Sequence, residues 1–224
     1  MKFAVLIPTR GDRGPLLENC KRMIAQQTMQ PDHIEVVDFM PRTDVCDITV
    51  RYRFGYEKLS KMGFDVIFFI EDDDWYAKNY FETMIFEWKK AEKPAIFGTT
   101  YTWYYNLRVW GRFKMEHFQR SSAMSTMIKP NLHINWPLDH DPYTDIALFF
   151  QLQYALFTPQ ELICLGIKHG FGKCGGESHV NSLARYTTNT GIMDADKKWL
   201  QQNIDAESFD FYTSLKLPEA KLKY

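Results

Sequence analysis

Three short apolar runs, each followed by a helix-length amphipathic segment, constrain the fold of this chain most. The runs are FAVLIP, HIEVVDF and DVIFFI at residues 3–8, 33–39 and 65–70. Runs this short and this apolar are typical of strands that are covered on both faces. A repeated strand–helix order with right-handed crossovers builds a parallel sheet. The sequence therefore predicts an α/β fold with a central, mostly parallel sheet and flanking helices.

The segments between the runs have helical periodicity. Pro15 suits the first turn of a helix, and Asp44 is a candidate N-cap for a second helix that reaches about Met62. A third helix follows the third strand, and its apolar face is formed by Tyr80, Phe81, Met84, Ile85 and Trp88.

The second half of the chain is predicted to be more extended. The pattern indicates strands within residues 95–115 and 122–128, and a helix from Thr144 or Asp145 through Phe157. Residues 163–168 are predicted to return to the sheet as another strand.

The third strand runs directly into an acidic cluster, which consists of Glu71, Asp72, Asp73 and Asp74. Carboxylates this close raise one another's pKa unless a cation or strong donors lie among them. Ligands of parallel sheets bind at the carboxyl ends of the strands, where Thr9, Arg10 and Asp38 also lie. Carboxylate oxygens are the ligands that Mg²⁺ and Mn²⁺ prefer. We predict a divalent cation here, in preference to a solvated acidic turn before a helix.

Composition narrows the class of protein. The chain has 27 basic and 28 acidic residues, so no overall charge favours a generic nucleic-acid or membrane-surface binder. Its four cysteines form no CxxC pair, and we expect free thiols in a reducing compartment: Cys20, Cys46, Cys164 and Cys174. The apolar stretch before Pro8 is too short for a signal peptide or a membrane span. These features predict a cytoplasmic protein.

Four segments resemble the glycosyltransferase family 2 enzymes, which have the GT-A fold and use nucleotide-diphosphate sugars. They are VLIPTR, VVDF, FFIEDDDWY with the following NYF, and TDIALF. The resemblance is best over about residues 3–100. It implies one GT-A-like domain over residues 1–224, with a nucleotide-sugar-binding half at 1–100 and an acceptor-binding half at 101–224. The implied activity is that of a hexosyl- or pentosyltransferase.

The same resemblance assigns the donor site. Pro8, Thr9 and Arg10 would line the nucleotide pocket and Asp38 would contact the base, with a UDP-sugar the favoured donor because it is the commonest in the family. The acidic cluster occupies the place of the Asp-x-Asp motif, with Asp73 the direct ligand of Mn²⁺ or Mg²⁺. The motif could instead be framed on Asp72 and Asp74, and both frames stay open.

A general base must take the proton from the acceptor hydroxyl in an inverting transfer. The family resemblance places this base at Asp145, with Asp141 and Asp139 as competitors. The simpler alternative is that Asp145 only caps its helix.

The glycine-rich stretch after residue 169 carries further candidates. His179 or His169 could supply another metal ligand, although a surface histidine is the more frequent case. Lys173 and Arg185 could meet phosphate oxygens as this stretch closes over the donor.

The acceptor is predicted from the stretch at residues 107–120, which interleaves Arg108, Arg112, Lys114 and Arg120 with Trp110, Phe113 and Phe118. This composition suits DNA, and a hydroxymethylated pyrimidine base in the cytosol of a bacterium or a phage-infected host is one possible acceptor. An edge hairpin with basic residues is the more frequent meaning of such a stretch. A nucleotidyltransferase, a phosphohydrolase and a non-catalytic binding module stay open as other functions.

Overall fold

The computed structural model describes residues 1–40, 46–170 and 191–217. Its strands are β1 (Phe3–Pro8), β2 (His33–Val37), β3 (Val66–Phe69), β4 (Trp75–Tyr76), β5 (Ile96–Thr99), β6 (Tyr101–Asn106), β7 (Gly111–Glu116), β8 (Thr126–Ile128), β9 (Tyr154–Phe157), β10 (Cys164–Lys168) and β11 (Gly191–Met193). Its α-helices are α1 (Gly14–Ala25), α2 (Ile48–Ser60), α3 (Tyr80–Lys90), α4 (Thr144–Gln151), α5 (Lys198–Asn203) and α6 (Ala206–Ser214). A short 3₁₀ turn at Ala123–Ser125 precedes β8.

The central sheet has six strands in the order β2-β1-β3-β8-β5-β9. Strand β1 pairs in parallel with β2 and β3, and β5 pairs in parallel with β9. Only β8 runs the other way, between β3 and β5. The prediction of an α/β fold with a central, mostly parallel sheet and flanking helices is confirmed.

Both faces of this sheet are covered, which explains the uninterrupted apolar runs. Along β1, Phe3 and Val5 pack into the cluster that contains the apolar faces of α1 and α3. The alternate residue Leu6 packs into the opposite cluster, which contains Tyr52 and other residues of α2. Successive side chains of a strand point to opposite faces, so every residue of β1 is buried.

A second sheet lies beyond the first, in the order β11-β7-β6-β10-β4. The prediction that residues 163–168 return to the central sheet is wrong, because β10 pairs with β6 and β4 instead. Strand β7 lies between β6 and β11. Residues 107–116 therefore belong to a hairpin, as the alternative interpretation expected, but β7 is not an edge strand because β11 pairs with its other side.

Three predicted boundaries differ from the structure. Helix α4 ends at Gln151 rather than Phe157, because Leu152 is already extended and β9 then pairs with β5. Helix α2 begins at Ile48, and Asp44 lies outside the described residues. Helix α2 ends at Ser60, two residues before the predicted end near Met62.

The cysteines correct another expectation. Cys20 and Cys164 are buried free thiols, but Cys46 is disulfide-bonded. The prediction of four free thiols is therefore wrong at Cys46, whereas Cys174 lies outside the described residues. Among the helices that the structure describes, none combines the length and the apolar character needed to span a bilayer.

The C-terminal helices are fastened to the sheets by two aspartates. Asp194 accepts hydrogen bonds from the Tyr105 hydroxyl at 2.8 Å and from the backbone N–H of Leu200 at 3.1 Å. Asp205 is the N-cap of α6 and also accepts a hydrogen bond from the indole Nε1 of Trp75 at 2.9 Å. Helix α6 is thereby held against β4, which directly follows the acidic cluster.

Candidate functional site

The acidic cluster is the turn that joins the two sheets. Strand β3 of the central sheet ends at Phe69, and β4 of the second sheet begins at Trp75. The turn is fixed at its start because the backbone N–H of Glu71 donates to the Tyr76 hydroxyl at 2.9 Å. Four carboxylates are thus held at the carboxyl end of β3, the edge at which parallel sheets bind ligands.

Asp72 ties this turn to the loop after β1. Its Oδ2 accepts a hydrogen bond from the Thr9 hydroxyl, and its Oδ1 lies 3.1 Å from Nη1 of Arg13. Burial, and then the charge of Asp73, raise the pKa of Asp72 to about 6. With both oxygens engaged, Asp72 positions the loop that carries Thr9 rather than facing a ligand.

Asp73 is the most strongly countercharged member of the cluster. Its Oδ2 lies 2.7 Å from Nε2 of His169 and 3.2 Å from Nη1 of Arg13. Burial alone would raise the pKa of Asp73, but Arg13 and His169 outweigh it and the pKa is lowered. Arg13 and His169 therefore favour the ionised form of Asp73.

Asp74 and Glu71 form a carboxyl pair. Asp74 is fully buried, and its Oδ1 accepts a hydrogen bond from the backbone N–H of Ile167 at 2.7 Å. No N–H group or hydroxyl of the described residues donates to its Oδ2. Glu71 lies beside it within hydrogen-bonding distance, and the pKa of both is raised, first by burial and then by the charge of Asp73. Two carboxyls placed in this way must share a proton or a cation.

The geometry fits a hard divalent cation. Ligand oxygens of Glu71, Asp73 and Asp74 all lie within 4.8 Å of one another. An all-oxygen set with one buried carboxylate oxygen that lacks a donor is what Mg²⁺ and Mn²⁺ accept. The structure thus brings three of the predicted metal ligands together. The side chain of Asp72 contacts Thr9 and Arg13 instead.

A buried arginine fixes the loops that follow β1 and β2. Arg51 is paired with Asp47, its Nη2 lying 2.7 Å from Oδ2. Its Nη1 donates to the backbone carbonyls of Thr9 and Val37, and its guanidinium stacks 3.9 Å from the centre of the Phe39 ring. The Arg51 side chain therefore fixes both loops of the predicted nucleotide pocket.

The remaining predicted donor-site residues lie around these loops. Pro8 ends β1 and is buried, whereas Arg10 pairs with Asp12 and is partly exposed. Asp38 is exposed, and its carbonyl oxygen would lie 2.7 Å from a Cβ at Gly11. Glycine is needed there because the two loops approach so closely.

Asp145 faces the acidic cluster from α4. It lies in the first turn of α4, whose N-cap is Tyr143, so the alternative that Asp145 is the cap is wrong. Its charge contributes to the raised pKa of both Glu71 and Tyr52. Burial raises the pKa of Asp145 itself, against the opposing charge of Arg120.

The two competing aspartates are placed differently. The side chain of Asp141 accepts a hydrogen bond from the backbone N–H of Tyr143 at 2.8 Å. Asp139 pairs with Arg53 at 2.8 Å, and 44% of its side chain is exposed. Asp141 therefore shapes the entry to α4, and Asp139 contributes to a surface ion pair.

The basic stretch at residues 107–120 is largely engaged within the protein. Arg112 stacks on Trp199 at 4.5 Å, Lys114 lies 4.1 Å from the Tyr101 ring, and Arg120 pairs with Asp145. Phe118, in contrast, has 88% of its surface exposed. The stretch presents one exposed aromatic side chain rather than a continuous basic patch.

Two positively charged side chains of the site, those of Arg13 and Lys168, were not predicted from the sequence. Arg13 lies in the same polar loop as Arg10, and Lys168 ends β10, where the charges of Asp74 and Glu71 help to raise its pKa against burial. Both reach the cluster only through the fold, so no local signal marked them. The predicted residues His179, Lys173 and Arg185 lie outside the described residues.

Comparisons with known proteins find similarity in structure alone. No protein-family model matches the chain, and no curated protein matches it either. A197 from STIV is 18% identical, with a TM-score of 0.46, over 70% of this chain and 82% of that chain. TarS 1–349 from S. aureus in complex with UDP-GlcNAc is 8% identical, with a TM-score of 0.49, over 83% of this chain and 64% of that chain. The same TarS segment with UDP is 10% identical, with a TM-score of 0.46, over 75% of this chain and 60% of that chain. The chain thus spans less than two thirds of the TarS chains.

Proposed function

We propose that this protein is a metal-dependent glycosyltransferase, which moves a sugar from a nucleotide-diphosphate donor to a hydroxyl acceptor. The observation that carries the proposal is the arrangement of Glu71, Asp73 and Asp74, whose oxygens converge within 4.8 Å between the two sheets. Asp74 contributes a buried oxygen without a donor among the described residues. The sequence resemblance to family 2 enzymes supports the same activity.

The acidic cluster would hold Mg²⁺ or Mn²⁺, which when bound neutralises the charge of a departing diphosphate. Arg13 and Lys168 would add fixed positive charge beside it. Such preorganised charges stabilise a leaving group without reorganisation during the reaction.

The loops after β1 and β2 would bind the nucleotide. Thr9 and the backbone around it are fixed by Asp72 and Arg51, and Asp38 lies on the neighbouring loop. UDP is the first nucleotide to test because of the family resemblance.

Asp145 would accept the proton of the acceptor hydroxyl. Its raised pKa and its position opposite Glu71 suit a general base beside the donor site. Asp141, whose carboxylate serves a backbone N–H, is the less favoured base in this proposal.

Phe118 is exposed and would stack on a flat group of the acceptor, and a hydroxymethylated pyrimidine in DNA is one acceptor of this kind. The basic side chains around Phe118 are engaged internally, so we expect weak DNA binding with a shallow dependence on salt.

Thermal melting with a nucleotide panel tests the donor site. The panel contains UDP, UDP-GlcNAc, UDP-glucose and the corresponding GDP, ADP and CDP compounds, each with Mn²⁺, Mg²⁺ or EDTA. A ligand at about a hundred times its Kd stabilises the fold by about 2.7 kcal/mol. We expect a metal-dependent shift with one nucleotide, lost in Asp73→Ala and Asp74→Asn but kept in Asp210→Asn, whose carboxylate is exposed.

The same experiment separates the other functions. A shift with nucleotides but no release of nucleotide diphosphate from any sugar donor would favour a binding module. Release of inorganic phosphate or pyrophosphate from a nucleoside triphosphate would favour a phosphohydrolase or a nucleotidyltransferase. No shift with any nucleotide would refute the proposal.

A further inference from the structure

Arg120 is the one cation that contacts Asp145 in the described residues. Its Nη1 lies 2.5 Å from Oδ2 of Asp145, and the two side chains are 25% and 15% exposed. An exposed ion pair contributes about 0–1 kcal/mol to stability. This pair is mostly covered, and the charge of its carboxylate contributes to the raised pKa of Glu71, a candidate metal ligand. These features call for a reason other than surface charge balance.

The backbone that carries Arg120 is fixed to the central sheet. The neighbouring Ser121 is fully buried, and its Oγ accepts a hydrogen bond from the backbone N–H of Thr99 at 2.9 Å and lies 2.9 Å from Oγ of Ser125. A Cβ at Gly98 would lie 2.3 Å from the Cβ of Ser121. Glycine in β5 therefore permits the close approach that places Arg120.

The carboxylate of Asp145 is held from two directions. Arg120 binds it from the linker between β7 and β8, and the backbone N–H groups of Asp145 and Ile146 face it from the first turn of α4. Glu71 and Tyr52 are the other titratable groups close to it. Within residues 1–40, 46–170 and 191–217, Arg120 is the charged side chain that contacts this carboxylate and can fix its orientation.

We propose that Arg120 is a positioning residue, which holds the carboxylate of Asp145 in the orientation needed to accept the acceptor's proton. This inference rests on the proposed function, since it assigns Asp145 the role of base. Arg120 acts through Asp145 and not on the substrate. A bound partner that orients a base can matter as much as the base itself, because a misdirected oxygen cannot take the proton.

Kinetics of Arg120→Gln and Arg120→Lys test the proposal. The assay measures UDP release from UDP-GlcNAc with saturating Mn²⁺, with water as the acceptor that takes the sugar and gives its proton to Asp145, and isothermal titration calorimetry gives the Kd of UDP. We expect Arg120→Gln to lower kcat about 10-fold or more while the KM for donor and the Kd of UDP stay within twofold. Arg120→Lys, which keeps the charge, should recover a substantial part of kcat.

Two further readouts distinguish positioning from folding. The acidic limb of the kcat profile should move to higher pH in Arg120→Gln, because loss of the cation makes Asp145 easier to protonate. Arg53→Gln is the matched control, since Arg53 forms the same kind of pair with Asp139 at 2.8 Å but is more exposed. It should leave kcat and the pH profile unchanged.

The outcomes separate this inference from the proposed function. If the natural protein is active and Arg120→Gln keeps its kcat and its pH profile, Arg120 does not position the base. Equal losses in Arg120→Gln and Arg53→Gln would likewise overturn the inference and indicate a general structural effect. If the natural protein releases no UDP from any donor while binding UDP normally, the catalytic proposal fails, and the role of Arg120 fails with it.

Discussion

At the scale of single residues, some side chains of the candidate site destabilise the folded protein. Asp74 is fully buried beside another carboxyl, and its pKa is raised well above the ordinary value by burial and by Asp73. A group whose charged form is unfavourable in the folded state is retained for its function when it holds a ligand. The cost should therefore be visible as stability gained on its removal.

We expect Asp74→Asn to raise the Tm of the metal-free protein by about 2 °C or more, because the amide needs no proton at neutral pH. The same variant should lose its stabilisation by Mn²⁺. Differential scanning calorimetry with EDTA and with Mn²⁺ measures both effects. Asp210→Asn, at an exposed position of α6, should show neither. A lower Tm for Asp74→Asn in EDTA would contradict this account.

Asp72 is one of the residues that make the stability of the protein depend on pH. Since its pKa is raised from 3.8 to about 6, the folded protein holds this proton more tightly than the unfolded chain does. The contribution of Asp72 to the free energy of unfolding is therefore present at low pH and is lost as the pH rises from about 4 through about 6. Because the pKa of Asp73 is lowered, Asp73 changes the free energy of unfolding only at pH values below this range.

Urea denaturation of the natural protein and of Asp72→Asn between pH 5 and pH 8 measures this contribution. Burial and then the charge of Arg120 lower the pKa of His117 to about 4. His117 therefore makes the free energy of unfolding rise with pH, opposite to the effect of Asp72. The informative quantity is the difference in unfolding free energy between the two proteins. We expect Asp72→Asn to gain relative stability as the pH rises from 5 to 7, and a constant difference would show that Asp72 does not titrate there.

At the scale of elements, the close packing of α2 on the central sheet depends on Gly55. A Cβ at Gly55 would lie 2.1 Å from Cδ1 of Leu6 and 3.1 Å from Cγ2 of Val37. Both side chains are buried in strands that cannot shift independently of the sheet. Glycine within a helix costs about 1 kcal/mol relative to alanine, so its presence here reflects the packing.

We expect Gly55→Ala to destabilise the protein by about 1–3 kcal/mol despite its better helix propensity. Gly14→Ala is the control, because nothing lies within 4 Å of a Cβ at the start of α1. That substitution should be neutral or slightly stabilising. Chemical denaturation of both variants gives the comparison, and equal effects would show that α2 can move away from β1.

Elements with a single clear period were predictable, and those with two compatible patterns were not. Strands β1 and β3 and the buried face of α3 follow directly from their sequences. The run from Thr144 to Phe157 is apolar enough for either a helix or a strand, and pairing with β5 decides that residues 154–157 are extended. Similarly, the four acids are adjacent in sequence, whereas Arg13, Lys168 and His169 meet them through long-range contacts; of these three, only His169 was considered from sequence.

At the scale of the whole molecule, Asp205 connects the C-terminal helix to the sheet junction. It caps α6 through the backbone N–H of Ser208 and accepts a hydrogen bond from the indole N–H of Trp75. Its Oδ1 lies 3.4 Å from Nη1 of Arg22 in α1.

We expect Asp205→Ala to lower the free energy of unfolding by about 2 kcal/mol or more, since it removes a helix cap and leaves the indole N–H of Trp75 unsatisfied. Asp210→Ala on the same helix should cost less than about 0.5 kcal/mol. Urea denaturation measures both, and a small effect of Asp205→Ala would mean that α6 docks mainly through apolar contacts.

The turn from residue 70 to residue 74 links two sheets, and this has a consequence for the order of folding. Asp72 and Asp73 both pair with Arg13, which lies near the loop after β1, whereas His169 contacts Asp73 and the backbone N–H of Ile167 contacts Asp74 from the end of β10. Strand β10 joins a different sheet and is distant in sequence, so its pairing closes a long loop and is expected late. We therefore expect the contact of Asp74 with β10 to form after the folding barrier has been crossed. Asp74→Asn should alter the unfolding rate and leave the folding rate almost unchanged, with a φ-value near zero.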